Sequence, residues 1–177
     1  MTCMVRPSRR RILAAAAASL AMPWVPTARA APPIGKADFV LVIKSIRNLQ
    51  LYRNGNVLKT YACALGRHPD GPKRRAGDGR TPEGVYAIDR RLADSAYFRA
   101  LHVSYPDAAD IARAEEAGVN PGSAIFVHGL PNKYAHRDAK FVAFPYDWTD
   151  GCISVDDISM AEIWDAVDDG TPIEIRA

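Results

Sequence analysis

The chain has 177 residues, with 23 Lys and Arg against 20 Asp and Glu, a net charge of +3. Five arginines and no acid fall in the first thirty residues, so the 147 that follow carry 18 basic and 20 acidic residues, a net charge of −2. The basic balance therefore belongs to a leader and gives no support for a nucleic-acid partner. What remains is the length of one domain, enough to bury about 70% of its unfolded surface.

The leader opens with Arg6 and the run Ser8-Arg9-Arg10-Arg11-Ile12-Leu13, continues through the Ala-rich stretch 14–21, and ends in Thr27-Ala28-Arg29-Ala30. A basic segment, a short apolar segment and small residues before a cut site define a secretory signal peptide, with cleavage after Ala30. The apolar stretch falls short of the roughly 20 residues a membrane span needs. Arg9 and Arg10 beside Ser8 suggest the twin-arginine route; an ordinary secretory signal with a basic start is the alternative. The expected organisation is a signal peptide over 1–30 and one exported domain over 31–177. That domain is placed in the periplasm, with no membrane span in the mature chain.

The first strand is predicted over Phe39-Val40-Leu41-Val42-Ile43, apolar and β-branched. Leu49-Gln50-Leu51-Tyr52 alternates, Asn54-Gly55 turns the chain, and Val57 to Leu65 runs extended, a hairpin signal. Residues 66–84 hold five glycines and three prolines among basic residues and read as a long functional loop. There His68 and Lys73 are expected to be solvated. Further strands are predicted at Val85 to Ile88, Leu101 to Tyr105 and Ala124 to Val127, the last delivering His128. A helix is predicted from Asp107 to Ala117, stopped by Gly118. A second begins at Asp156 or Asp157 and runs to Val167, with Ile158, Ala161, Trp164 and Val167 at helical spacing and Trp164 in the core. A closing strand is predicted at Ile173-Glu174-Ile175. The fold class is mostly β with two helices (α+β).

Two cysteines remain after the leader, which carries Cys3 away: Cys63 and Cys152. In an oxidising compartment they could pair. The surroundings of Cys152 favour a reactive thiol instead. Ile125-Phe126-Val127-His128-Gly129 and Thr149-Asp150-Gly151-Cys152 place an imidazole at a strand end and a thiol beside a glycine. A free thiol with pKa about 8.5 is only a few per cent thiolate at neutral pH. A nearby imidazole can take its proton and form a thiolate–imidazolium pair, provided its other nitrogen is held. The N–H groups of a tight Asp150-Gly151-Cys152 turn could converge on one oxyanion. His136 is the rival base. A metal site built from His128, His136, Cys152 and Asp147 lacks any tight ligand pair, and neither a metal nor a cofactor is expected.

These motifs resemble the L,D-transpeptidase (YkuD-type) catalytic domains, closest to the YafK-like branch. The features that match are His128-Gly129-Leu130-Pro131-Asn132 and Asp147-Trp148-Thr149-Asp150-Gly151-Cys152-Ile153. Gly77 to Tyr86, Ser104-Tyr105-Pro106 and Asp169 to Ile175 match as well. The resemblance covers about residues 37–177. It implies a β-sandwich or barrel-type domain with the cysteine at the end of a groove, and peptidoglycan stem peptides as partners. Cys152 would attack the carbonyl of the third stem residue, and the thioester would pass to an amine or to water. YafK-like relatives add a wall-attached lipoprotein as a further partner. His128 is implied as base, with the Gly129 carbonyl as the third member of the triad and the N–H groups of Asp150, Gly151 and Cys152 as oxyanion hole. Trp148, Thr149, Asp147, Tyr105 and Arg80 are candidate substrate contacts, with a structural role the alternative for Tyr105. The chain has Ser154 where many members have Arg. This leaves Arg67, Lys73, Arg74, Arg80 and Arg137 as candidates to hold the substrate carboxylate.

Export is directly testable. Mass spectrometry of the exported protein should find Ala31 at the N-terminus. Processing should stop in the Arg9→Lys, Arg10→Lys double variant; processing that survives this change would refute the twin-arginine route.

Overall fold

The computed structural model describes residues 34–134 and 146–177; the leader, His136 and Arg137 lie outside them. Eight strands form one curled mixed sheet in the order β3-β2-β1-β8-β4-β5-β6-β7. They are β1 (Phe39–Ile43), β2 (Asn48–Arg53), β3 (Asn56–Ala62), β4 (Gly84–Ser95), β5 (Phe98–Val103), β6 (Ile125–His128), β7 (Ile153–Ser154) and β8 (Pro172–Arg176). Helices α1 (Ala108–Glu116) and α2 (Asp157–Ala166) complete the domain. The β2–β3 turn has positive φ at both Asn54 and Gly55, the geometry that Asn-Gly supplies. The last strand is central, pairing parallel with β1 and antiparallel with β4.

One core runs along the sheet and includes Val42, Leu49, Leu51, Ile88, Leu101, Val103, Ile125, Val127, Ile153, Ile173 and Ile175. Helix α1 starts on a reciprocal cap: the Asp107 side chain accepts from Asp110 N–H while the Asp110 side chain accepts from Asp107 N–H. Helix α2 is capped by Asp156, which accepts from Ser159 N–H at 2.9 Å. Its buried face is Met160, Ile163 and Ala166; of the stripe predicted from sequence, Val167 at the C-cap is buried in the core. Ile158 is 69% exposed. Trp164 lies at the edge of the core, its ring covered by the guanidinium of Arg91 4.2 Å from the ring centre. A ten-residue helix offers two overlapping apolar stripes, and packing on β5 selects one of them.

The 66–84 segment is a built structure and not a solvated loop. Lys44, fully buried just after β1, donates to the carbonyls of Gly71 at 2.7 Å and Thr81 at 3.1 Å and pairs with Glu83 at 2.7 Å. Asp78 accepts from Lys73 Nζ at 2.8 Å and from the N–H groups of Arg74, Arg75 and Arg80 at 2.7, 3.1 and 3.1 Å. Burial alone would raise the Asp78 pKa, but these donors outweigh it and hold the carboxyl at about 2. Lys73 is therefore buried and paired, contrary to the sequence expectation, whereas His68 is exposed. Gly66 and Gly79 bring two backbones together: a Cβ on Gly66 would lie 2.3 Å from the Gly79 carbonyl oxygen.

Removing the Lys44 ammonium strands two carbonyls and a carboxylate in this interior. Lys44→Met should cost about 3 kcal/mol of unfolding free energy, as broken buried pairs do. Chemical denaturation would measure the loss, and a change within about 0.5 kcal/mol of zero would show that the loop holds without its anchor.

Candidate active site

Strand β7 is short, but its pairing fixes the site. It runs parallel to β6 with Val127 opposite Ile153 and His128 opposite Ser154. Opposed residues of a parallel pair share a face, so Phe126 and His128 lie on the same side as Cys152 and Ser154. Cys152, one residue before β7, thus comes beside β6. Its thiol donates to the Ala124 carbonyl at 3.7 Å, and the Phe126 N–H reaches back toward the sulfur.

His128 is 4% exposed. Its Nδ1 lies 2.7 Å from the Gly129 carbonyl oxygen. A carbonyl only accepts, so Nδ1 carries the proton and Nε2 keeps its lone pair. The same carbonyl accepts from Ser154 Oγ at 3.4 Å. Gly129 has no room for a side chain, since a Cβ would lie 2.6 Å from Asp157 Oδ1 and 3.0 Å from Phe98 Cβ. Asp157 in turn accepts from Leu130 N–H at 2.8 Å.

Gly151 is also required. Its φ is +134°, and a Cβ would meet the Arg80 carbonyl oxygen at 2.6 Å. The loop anchored by Lys44 and Asp78 therefore lies against the turn that carries Cys152. Buried Thr149 braces this turn from within: its Oγ1 donates to the Cys152 carbonyl at 2.8 Å and accepts from Gly151 N–H at 3.1 Å.

Cys152, His128, Trp148, Thr149 and Asp150 line one cavity of about 600 Å³. Arg67 lies on its wall and pairs with Asp150 at 2.5 Å. Three residues proposed from sequence as substrate contacts are not in it. Arg80 lines a neighbouring hollow. Tyr105 is a core strut whose hydroxyl donates to the Pro121 carbonyl at 2.9 Å. Asp147 is a brace, paired with Arg47 at 2.8 Å and accepting from Leu65 N–H at 2.9 Å. Tyr97, which sequence reasoning missed, stands with its ring centre 4.6 Å from that of His128, and Trp148 packs against the imidazole at 5.8 Å. Tyr97 sits at the β4–β5 turn, clamped by Asn132, which accepts from Phe98 N–H at 2.7 Å and donates to the carbonyls of Ser95 and Ala96, both at 2.9 Å.

Both cysteines are free thiols, so the disulfide alternative is not realised. Burial pushes the Cys63 thiol up to about 12. Burial also pushes the Cys152 thiol above its ordinary value, aided by Asp150 and offset in part by the Phe126 N–H and Lys73. His128 is pushed down by burial, with the Gly129 carbonyl offsetting part of the shift. Both shifts favour neutral thiol and neutral imidazole at rest, not the ion pair expected from sequence. Such a pair can still act as nucleophile and general base, with the proton moving as the sulfur attacks. The metal alternative relies on His136, outside the described residues; among those described, no group of three His, Cys, Asp or Glu could hold a metal ion.

Cys152 and the carbonyl-oriented His128 thus share one cavity of a mixed half-barrel. The chain belongs to the L,D-transpeptidase catalytic domain (YkuD) family, whose profile matches residues 37–175. Among relatives, it is 30% identical over 102 residues to the L,D-transpeptidase-family protein YafK of Escherichia coli, a match covering 54% of this chain and 39% of YafK. The chain thus spans about two-fifths of the length of the curated relatives it matches. Its fold is similar to that of the helical cell shape determining protein Pgp2 of Campylobacter jejuni (TM-score 0.57, 22% identity, 80% of this chain and 48% of that one). It is also similar to an L,D-transpeptidase from Xylanimonas cellulosilytica (TM-score 0.52, 18% identity, 86% and 65%).

The neutral resting pair has a measurable signature. Iodoacetamide should alkylate Cys152 with a midpoint above the free-thiol value of about 8.5, and Cys63 should stay unmodified in folded protein. A Cys152 midpoint below pH 7 would show a preformed thiolate and overturn this electrostatic picture.

Proposed function

We propose that this chain is an exported enzyme that transfers acyl groups on peptidoglycan stem peptides through a thioester on Cys152. The observation that carries the proposal is the His128 imidazole, its Nδ1–H fixed on the Gly129 carbonyl, facing the same cavity as the thiol. In this reading Cys152 Sγ attacks a stem-peptide carbonyl as its proton passes to His128 Nε2. The C–N bond breaks, and the leaving amine takes that proton. Thioester and free amine result, with atoms and charge balanced. Because the Gly151 N–H is held by Thr149, the oxyanion falls to the N–H groups of Asp150 and Cys152 within the turn proposed from sequence. Trp148 and Tyr97 wall the peptide in beside the imidazole, and Arg67, which pairs with Asp150 on the same wall, is the cation assigned to a substrate carboxylate.

The thioester has two fates. The amine that leaves as the thioester forms is a D-amino acid or a wall-attached lipoprotein; an amine acceptor then gives transpeptidation, and water gives L,D-hydrolysis, freeing the stem peptide as a carboxylic acid and restoring the thiol. Periplasmic location and the loss of residues 1–30 belong to the same proposal. Among the described residues no helix is long and apolar enough to cross a membrane.

Incubation with purified muropeptides followed by mass spectrometry of the products reads both fates. Cys152→Ala should abolish turnover and keep the fold, and Cys152→Ser should be nearly inactive because a hydroxyl ionises far less readily. His128→Ala should reduce the rate by about 10²-fold or more, the usual share of a general base. A mild His128→Ala beside a severe His136→Ala would assign the base to His136. A carbapenem should form one adduct, on Cys152 and absent from Cys152→Ala; an adduct on Cys63 would sink the proposal.

A further inference from the structure

Outside the Cys152 cavity, the most unusual feature is the charge of the anchored loop. Residues 66–80 carry Arg67, Lys73, Arg74, Arg75 and Arg80 against Asp70 and Asp78, in a domain that is otherwise net acidic. A hollow of about 460 Å³ is bounded by His68, Arg74, Arg75, Gly77, Asp78 and Arg80. Asp78 is the one acid there, and it is already used: Lys73 and three backbone N–H groups surround it. Among the described residues, Arg74, Arg75 and Arg80 have no ion-pair partner. Three arginines line one hollow, and the Asp78 staple holds their backbones together against the mutual repulsion of their charges. Cations held close by a rigid loop form a preorganised receptor for anions, because the cost of ordering is met in folding. Guanidinium suits carboxylate especially well, with its planar fork of donors.

The position of the hollow indicates which anion. Arg67 lines the Cys152 cavity and the adjacent His68 lines the hollow. Gly79 packs on both: a Cβ there would lie 2.8 Å from Arg67 Cγ and 3.0 Å from His68 Nδ1. The Arg80 carbonyl backs Gly151, and the same residue lines the hollow. A wall one or two residues thick therefore separates the two spaces.

We propose that the hollow formed by His68, Arg74, Arg75 and Arg80 is a second subsite that binds free carboxylates of the acidic peptide whose acyl group enters the Cys152 cavity. This rests on reading that cavity as a peptide site. The hollow selects for substrates with unmodified carboxylates, and its contribution falls with salt, as for exposed charges within about a Debye length, roughly 8 Å at physiological ionic strength.

The test needs no turnover. The full mature chain carrying Cys152→Ala is titrated with an acidic stem tetrapeptide, and with the same peptide after amidation of its carboxylates, at low and high salt. The free-acid form should bind more tightly and lose affinity with salt. Adding Arg74→Gln and Arg75→Gln should weaken it on the order of tenfold and remove most of the salt dependence, while the amidated peptide is unaffected. Both arginines are exposed, so the fold is not at risk. Equal affinity for the two peptides, equal affinity with and without the two arginines, or no binding would overturn the proposal. Inorganic phosphate binding more tightly than the free-acid peptide would overturn the choice of carboxylate. Salt-dependent, arginine-dependent binding by a protein whose native Cys152 form turns over no muropeptide would leave the subsite standing and remove only the acyl-transfer reading.

Discussion

The site depends on the parallel pairing of β6 with β7. That pairing involves only two residue pairs, Val127 with Ile153 and His128 with Ser154. Hydrogen bonds at about 1 kcal/mol each cannot by themselves hold so short a strand in place. Burial holds it: Ile153 and Val155 are fully enclosed, each worth about 1.5–3 kcal/mol. The hydrogen bonds fix which residue lies opposite which. A slip of one residue would turn Cys152 to the other face and put a core isoleucine toward the cavity. The core thus enforces the register, and the register aligns thiol and imidazole.

Three other elements converge on that seam. The 66–84 loop, tied down by Lys44 and Asp78, presses the Arg80 carbonyl on Gly151. Asp157 at the start of α2 holds the backbone at Leu130 and leaves space only for glycine at 129. Asn132 grips the β4–β5 turn, and with it Tyr97. Each brace acts on a residue beside the cysteine, the histidine or the aromatic wall. Cys152 and His128 themselves sit on short, neighbour-supported segments.

The residue pattern makes legible seven of the eight strands, both helices and the two residues on which the chemistry is proposed to turn; the two-residue β7 is too short to show a period. Asn54-Gly55 announces its turn, Asp107 and Gly118 bracket α1, and a histidine at a strand end with a Gly-Cys downstream is visible without coordinates. What is not legible depends on contacts far apart in sequence. Tyr97 follows Ser95-Ala96, a turn without Gly, Asn or Pro, and closes with positive φ at Phe98, so nothing local marks it. Lys73 looks solvated beside two arginines until Asp78 folds back on it. Tyr105 and Asp147 lie near motif residues, yet their polar atoms are taken by Pro121, Arg47 and Leu65. The charge state of the Cys152–His128 pair also escapes pattern reading, because burial, a property of the whole fold, pushes both groups toward neutrality.

Cys63 has a consequence for chemical durability. Its thiol is enclosed in the core and kept protonated, and an unionised, inaccessible thiol takes no part in exchange. Should a peroxide convert Cys152 to a sulfenic acid, this domain has no resolving cysteine to trap it as a disulfide. The oxidised sulfur would then be open to further, irreversible oxidation. Recovery would fall to a reductant supplied from outside the chain, so the working lifetime of the protein is linked to the thiol chemistry of its compartment.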